Sequence, residues 1–276
     1  MKIARHFRFL TFLALLTLTV PAMAQEEDGN YYDDTSSADE VVASPLRPES
    51  MVLIDSGTVT EVLKSDLILL NNKRYKLDNI STPVYEDQLA FDEMTSALLN
   101  RKVNVYSKTV DQTIDRYSIP LSHVVRDDGV WIQESLISKG LAWATVTGTN
   151  RQMMYALLQM EEKARVLRNG FWSNPLYVAK TPFNLKDCTD SYQVVEGKAL
   201  YVSQKRGTIF FNFSRDWTTD FTIELPTRYL PRFTTSSGRF NPKVWFNHTI
   251  RVHGWVQEKN GPMIEVKYPE QVELVE

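Results

Sequence analysis

The chain has 276 residues, 31 Lys and Arg against 34 Asp and Glu, a net charge of −3, and one cysteine. The lone Cys188 excludes an internal disulfide, and so small a net charge excludes strong long-range attraction to polyanions. The acidic excess is local: 25–50 holds eight acidic residues and one basic, so that 51–276 carries +1.

Lys2, Arg5 and Arg8 precede a short apolar run from Phe9 to Val20, and Ala22-Met23-Ala24 offers small residues for cleavage. This layout predicts a secretory signal peptide, 1–24, cut after Ala24, and a periplasmic or secreted protein. The run is short for a bilayer span, which needs roughly 20 residues, so no stable membrane insertion is expected after cleavage. No Cys follows it, which argues against a lipid anchor. The acidic 25–50 has too little apolar surface to offset chain entropy and reads as a disordered linker.

A first globular unit is expected over 51–178. Partial alternation over 52–63, a β-rich run at 66–70 and alternation over 75–79, with Asn71-Asn72 as a turn, predict three strands. Apolar residues at helical spacing predict a helix over 87–99. Two more strands follow at 103–108 and 121–126, then helices over 131–139 and 153–167, with Gly170 as a left-handed cap. Five strands with a helix between the third and fourth is the pattern of an OB-type barrel, covered by the later helices.

A polar connector over 179–192 precedes a second unit, 193–276. Strands are expected at 194–202, 208–213, 221–225, 249–256 and 263–266, with hairpin turns at Lys205-Arg206-Gly207 and Lys259-Asn260-Gly261. The fold class is therefore β-dominated α+β: an OB-type barrel followed by a small all-β domain, for which a second OB-like form is one arrangement. His248 and His253, five apart on a strand-like run, make a poor metal pair.

Several segments of the first unit, in order and spacing, resemble the staphylococcal nuclease family. They are Lys64-Ser65-Asp66, Tyr75-Lys76-Leu77, Ser81-Thr82-Pro83, Asp115-Arg116-Tyr117 and Asp128-Gly129. Downstream come Glu134-Ser135-Leu136, Gly140-Leu141-Ala142-Trp143, Glu161 to Arg165 and Gly170-Phe171-Trp172. The second unit is similar to the β-rich extension of exported nuclease-like proteins of Gram-negative bacteria, through Phe211-Asn212-Phe213, Asp216-Trp217, Asp220-Phe221-Thr222 and 261–266.

The resemblance implies a calcium ion held by two aspartates and a threonine carbonyl, a glutamate that orients water, and two arginines on the phosphate. Asp66 matches the first aspartate and Thr82 the threonine, but the second aspartate is Ser81 and the glutamate is Val84. The arginines fall on Lys76 and Ile119, and a glycine of the family on Ser118. Valine cannot activate water, isoleucine cannot donate to phosphate, and lysine lacks the bidentate fork. Glu86, Asp87 and Arg116 are the nearby substitutes, with an exposed helix N-terminus as the plain role of the first two and a surface ion pair as that of Arg116. Tyr117 is a substrate-binding candidate.

These substitutions favour a catalytically degenerate binding or scaffold protein, with an unknown protein partner or single-stranded nucleic acid, and with no cofactor. The alternative is a divergent calcium-dependent phosphodiesterase acting on DNA or RNA, with calcium only in that case. Phe210, Phe211, Phe213, Arg215, Trp217, Trp245 and Phe246 suit either a binding face or a core.

Overall fold

In the computed structural model the described residues are 51–275, apart from 84–85, 109–112, 148–150, 186, 217–219 and 235–239, and apart from the side chains of Arg151 and Gln152. The expected signal peptide and acidic linker lie outside them, as do Val84 and Trp217. The architecture is β-dominated α+β, with three α-helices and several sheets among the described residues.

The first module runs β1 (Val52–Lys64), β2 (Leu67–Leu70), β3 (Lys73–Leu77), β4 (Ile80–Ser81), α1 (Asp87–Leu98), β5 (Lys102–Ser107) and β6 (Leu121–Arg126). It ends with α2 (Ile132–Ser138), β7 (Trp143–Ala144) and α3 (Arg151–Val166). Five strands close into a barrel in the order β1-β2-β3-β6-β5, while β4 and β7 pair separately. The β2–β3 hairpin turns on Asn71 and Asn72, both left-handed at φ 49° and 62°, a conformation asparagine tolerates better than most residues. Inward residues of the barrel, among them Val59, Ile68, Leu70, Tyr75, Leu77, Val105 and Val124, pack against Met94, Leu98, Ile132, Leu136 and Leu157 of the helices. That burial is the main stabilising term.

The residue that turns the chain out of α3 is Arg168, at φ 56°, where Gly170 was expected. Gly170 has another task. It meets Gly140, the residue after the Lys139 cap of α2, so closely that a Cβ on either would collide with the backbone of the other loop. Glycine is required at both positions, since both also have positive φ.

The second module holds β8 (Tyr192–Lys198), β9 (Tyr201–Lys205), β10 (Thr208–Asn212), β11 (Thr222–Pro226), β12 (Thr249–Trp255), β13 (Gln257–Glu258), β14 (Pro262–Glu265) and β15 (Val272–Val275). They form a five-stranded sheet, β13-β14-β11-β10-β9, and a three-stranded sheet, β15-β12-β8. The single strand expected over 194–202 is two strands in different sheets. The break falls at Ala199 and Leu200, whose amides bond His248 and Asn212 carbonyls. Alternation continues across such a bend, so the pattern alone does not reveal it. Phe211, Phe213, Phe221 and Trp245 fill this core.

The modules share an aromatic seam. Trp143, Phe171 and Trp172 of the first pack with Tyr192 and Val194 of the second, and Trp143 lies 5.1 Å from Phe171 and 5.9 Å from Tyr192 between ring centroids. Among the described residues no helix is long and apolar enough to cross a membrane. Cys188 is a half-buried free thiol, and burial raises its pKa.

Candidate functional site

The turn between β1 and β2 puts Ser65 and Asp66 beside β3, because the Leu77 amide donates to the Asp66 carbonyl at 2.8 Å. Lys76, on β3, reaches the Asp66 carboxylate at 3.3 Å. The expected metal ligand and the expected phosphate cation are thus each other's partners.

A second cluster sits next to the first. The Ser65 and Thr82 hydroxyls are 2.9 Å apart. Both donate to Oδ1 of Asp87, Thr82 at 2.8 Å and Ser65 by a short bond. Asp87 opens α1 and is the one acidic residue of its first turn, where the helix dipole favours a carboxylate. Its reach across to Ser65 and Thr82 goes beyond the helix-end role expected for it. Glu86 is the N-cap residue and makes no side-chain capping bond; it is half-buried.

The loop before β6 is organised by Asp115. Its Oδ1 accepts from the Tyr117 amide at 2.8 Å and the Ile119 amide at 3.0 Å. Burial alone would raise the Asp115 pKa, but those two amides and the charges of Lys76 and Arg116 outweigh it and hold the carboxyl low. Ser118 takes the left-handed conformation, φ 59°, at the position where the family has glycine. The turn points Ile119 inward, where it is 8 % exposed. Arg116 and Tyr117 face solvent, with the guanidinium 4.9 Å over the ring. The plain role expected for Arg116 is a surface ion pair with Asp115 or Asp111; Asp111 lies outside the described residues, and the Arg116 charge lowers the Asp115 pKa while the guanidinium stacks on Tyr117.

Ser81 stands apart from these clusters. It pairs with Trp143 across β4 and β7 and lines a cleft of about 400 Å³ with Thr145, Thr147, Trp255, Lys267 and Tyr268. No group of three or more His, Cys, Asp or Glu that could hold a metal occurs among the described residues. Asp66 and Asp87, the carboxylates of these two clusters, each already have partners.

Two further arrangements had no sequence signal. On α3, Glu161 and Glu162 reach the second module. His253 Nε2 lies 2.7 Å from Glu273 and Nδ1 3.3 Å from Glu161. Arg251 lies 2.8 Å from Glu162, 2.9 Å from Glu196 and 3.6 Å from Glu273. The partners are 55 and 89 residues apart in two of these pairs, so no local pattern marks them. The second arrangement is a pair of exposed arginines stacked on the half-buried Tyr229 and Tyr268.

Residues 74–174 match the family model described as staphylococcal nuclease homologue. The match covers β3 to the turn after α3 and leaves the second module outside it. No curated protein matches the chain.

Proposed function

Starting from a staphylococcal nuclease homologue domain at residues 74–174, we propose that this protein is a catalytically silent, exported member of the nuclease-like fold that works by binding. In this reading the closed barrel is of OB type, and the chain matures by loss of 1–24. One observation carries it: of the family positions, the expected metal ligand Asp66 and the expected phosphate cation Lys76 are paired with each other, and the neighbouring hydroxyls and carboxylate bond among themselves. Lys76 neutralises Asp66, Asp87 takes the Ser65 and Thr82 hydroxyls, and Ile119 turns its apolar side chain into the protein.

Phosphodiester hydrolysis needs a held metal, an activated water and stabilised equatorial oxygens. Ser81 supplies no carboxylate, Val84 no base and Ile119 no guanidinium. Each missing electrostatic contributor commonly costs ~10²–10³ in rate, and such losses do not simply multiply. Mature protein from Gln25, given calcium and single- or double-stranded DNA or RNA, is expected to cleave at background, as is Asp66→Ala. Restoring Val84→Glu and Ile119→Arg alone should recover little, because Ser81 leaves the metal weakly held. Calcium-dependent turnover by the unaltered protein, lost in Asp66→Ala, would overturn the proposal. It would favour the second reading, a divergent phosphodiesterase whose metal is held by Asp66 with Asp87, which the shared Ser65–Thr82–Asp87 cluster brings to the same edge of the barrel.

A further inference from the structure

The chain leaves β11 in a 3₁₀ segment, Thr227–Phe233. At three residues per turn, Tyr229 and Arg232 fall on one side. The Arg228 guanidinium carbon lies 4.6 Å from the Tyr229 ring centroid and that of Arg232 lies 4.7 Å from it. Arg232 is also 4.5 Å from the ring of Tyr268, from the loop after β14. Two guanidiniums thus share one tyrosine, and one of them also stacks on a second.

The local charge is positive. Arg228, Arg232, Lys267 and Arg206 are exposed. The Gly207 carbonyl accepts from Thr227, which holds the hairpin that carries Arg206 against the start of the 3₁₀ segment. Glu265 is shared, 3.5 Å from both Arg228 and Lys267. Arg232 has no carboxylate partner among the described residues; it donates to the Lys267 carbonyl at 3.2 Å. Arg228 donates through Nη2 to the Tyr229 hydroxyl at 3.2 Å and to Glu265 at 3.5 Å, and Arg232 through Nη1 to Lys267. A guanidinium has five N–H donors, so each keeps others for a phosphate, and the ring contact leaves it less rotamer freedom to lose on binding one.

Tyr268 and Lys267 also line the cleft of about 400 Å³ that contains Ser81 and Trp255. Trp255 is 55 % exposed, unusual for so large an apolar ring, and its close ring neighbour is Tyr192 at 6.2 Å. Stacked cations therefore run from Arg228 to Tyr268, and an open indole faces the same cleft. Phosphates suit the first and an unpaired base suits the second. A duplex, with its bases already stacked in pairs, could use only the cations.

We infer that Arg228, Arg232, Lys267 and Trp255 form a binding track for single-stranded nucleic acid on the second module, leading along the cleft to Ser81 of the β4–β7 pair. This rests on the reading of the protein as a binding module and names its ligand. It does not depend on whether the barrel is silent, because calcium-dependent cleavage tests one claim and binding at the track tests the other. With +1 over 51–276, attraction is confined to the track, so the salt dependence should correspond to few phosphates.

The test is fluorescence anisotropy of a labelled oligothymidylate of about 12 nucleotides with the mature chain, between about 50 and 200 mM salt. Saturable binding is expected. Arg228→Ala with Arg232→Ala should weaken it ~10-fold or more and lower the salt slope by about 1.4, or about 0.7 for each phosphate no longer neutralised. Trp255→Ala should weaken the oligomer ~5-fold or more while leaving inorganic polyphosphate unaffected. Lys102→Ala, a charge removed from the far end of β5, should change neither. All the substituted side chains are exposed, and a thermal melt of each variant confirms its fold. Absence of saturable binding at low salt overturns the inference. So does binding indifferent to the arginine pair, or polyphosphate held as tightly as the oligomer with no effect of Trp255→Ala.

Discussion

Replacing Arg251 with alanine is expected to destabilise the protein by about 2–3 kcal/mol, below the full cost of breaking a buried ion pair because Glu162, left without this partner, is 41 % exposed. The side chain is 9 % exposed and faces Glu162, Glu196 and Glu273. Arg165, which also pairs with Glu162 and approaches Glu196 at 4.0 Å, is the other guanidinium there. Without Arg251 three carboxylates from α3, β8 and β15 face one another with half their counter-charge. Burial would raise the Glu273 pKa, but the His253 hydrogen bond and the Arg251 charge outweigh it and hold it below the ordinary 4.5. Glu161, fully buried, is shifted the other way by desolvation. Urea unfolding of Arg251→Ala beside Arg251→Ala with Glu196→Gln measures the effect, and the second change should return part of the loss. A loss below about 1 kcal/mol, the range of a surface pair, would show that the network is solvated and does not fix the modules together.

Acid should destabilise the first module through His123. This imidazole is fully buried, 5.5 Å from the Trp131 ring, with Nε2 3.2 Å from the Asn79 amide oxygen and Nδ1 without a partner among the described residues. Desolvation pushes its pKa from 6.5 down to about 3. Between those values the unfolded chain takes up a proton that the folded one refuses. The stabilisation is complete above pH 6.5 and falls by about 1.4 kcal/mol for each pH unit below it, until His123 itself is protonated near pH 3. Glu161, with its raised pKa, acts in the opposite sense, since protonation favours its folded form. His123→Gln isolates the histidine: between about pH 6.5 and 5 the parent should lose about 2 kcal/mol more than the variant in urea melts. Parallel pH profiles would mean that water reaches the ring.

The strands of the barrel were legible because their burial alternates, as in Lys73–Leu77, where Tyr75 and Leu77 are buried between exposed or half-buried neighbours. The turns were legible because Asn71-Asn72, Arg206-Gly207 and Asn260-Gly261 need positive φ. The aromatic crowd of the second module could be core or binding face. Phe211, Phe213 and Trp245 are core, whereas Phe246 is exposed. What alternation reports is a face, not the partner on the other side. Asp87 on Ser65, Glu162 on Arg251, and Tyr268 under Arg232 each join segments with no shared local pattern, and only the tertiary fold brings them together. The short β15 escapes the sequence pattern for a related reason: its four residues are too few to establish a period.

The barrel is closed unevenly. β1 meets β5 over six registered pairs, but the one parallel junction, β3 to β6, has only two, Lys76 with Leu121 and Leu77 with Ser122. Lys76 and Asp78 anchor it through bonds to the Pro120 and Ser122 carbonyls. If native-state breathing begins where the fewest ladder bonds resist it, the barrel should part along this line first, and the amides of Lys76 and Asp78 should exchange with solvent deuterium ahead of those in β1 and β5. Lys76 lies on that line and its charge acts on Asp115, so in the proposed binding role the surface that catalysis would need to be most rigid would be the first part free to rearrange.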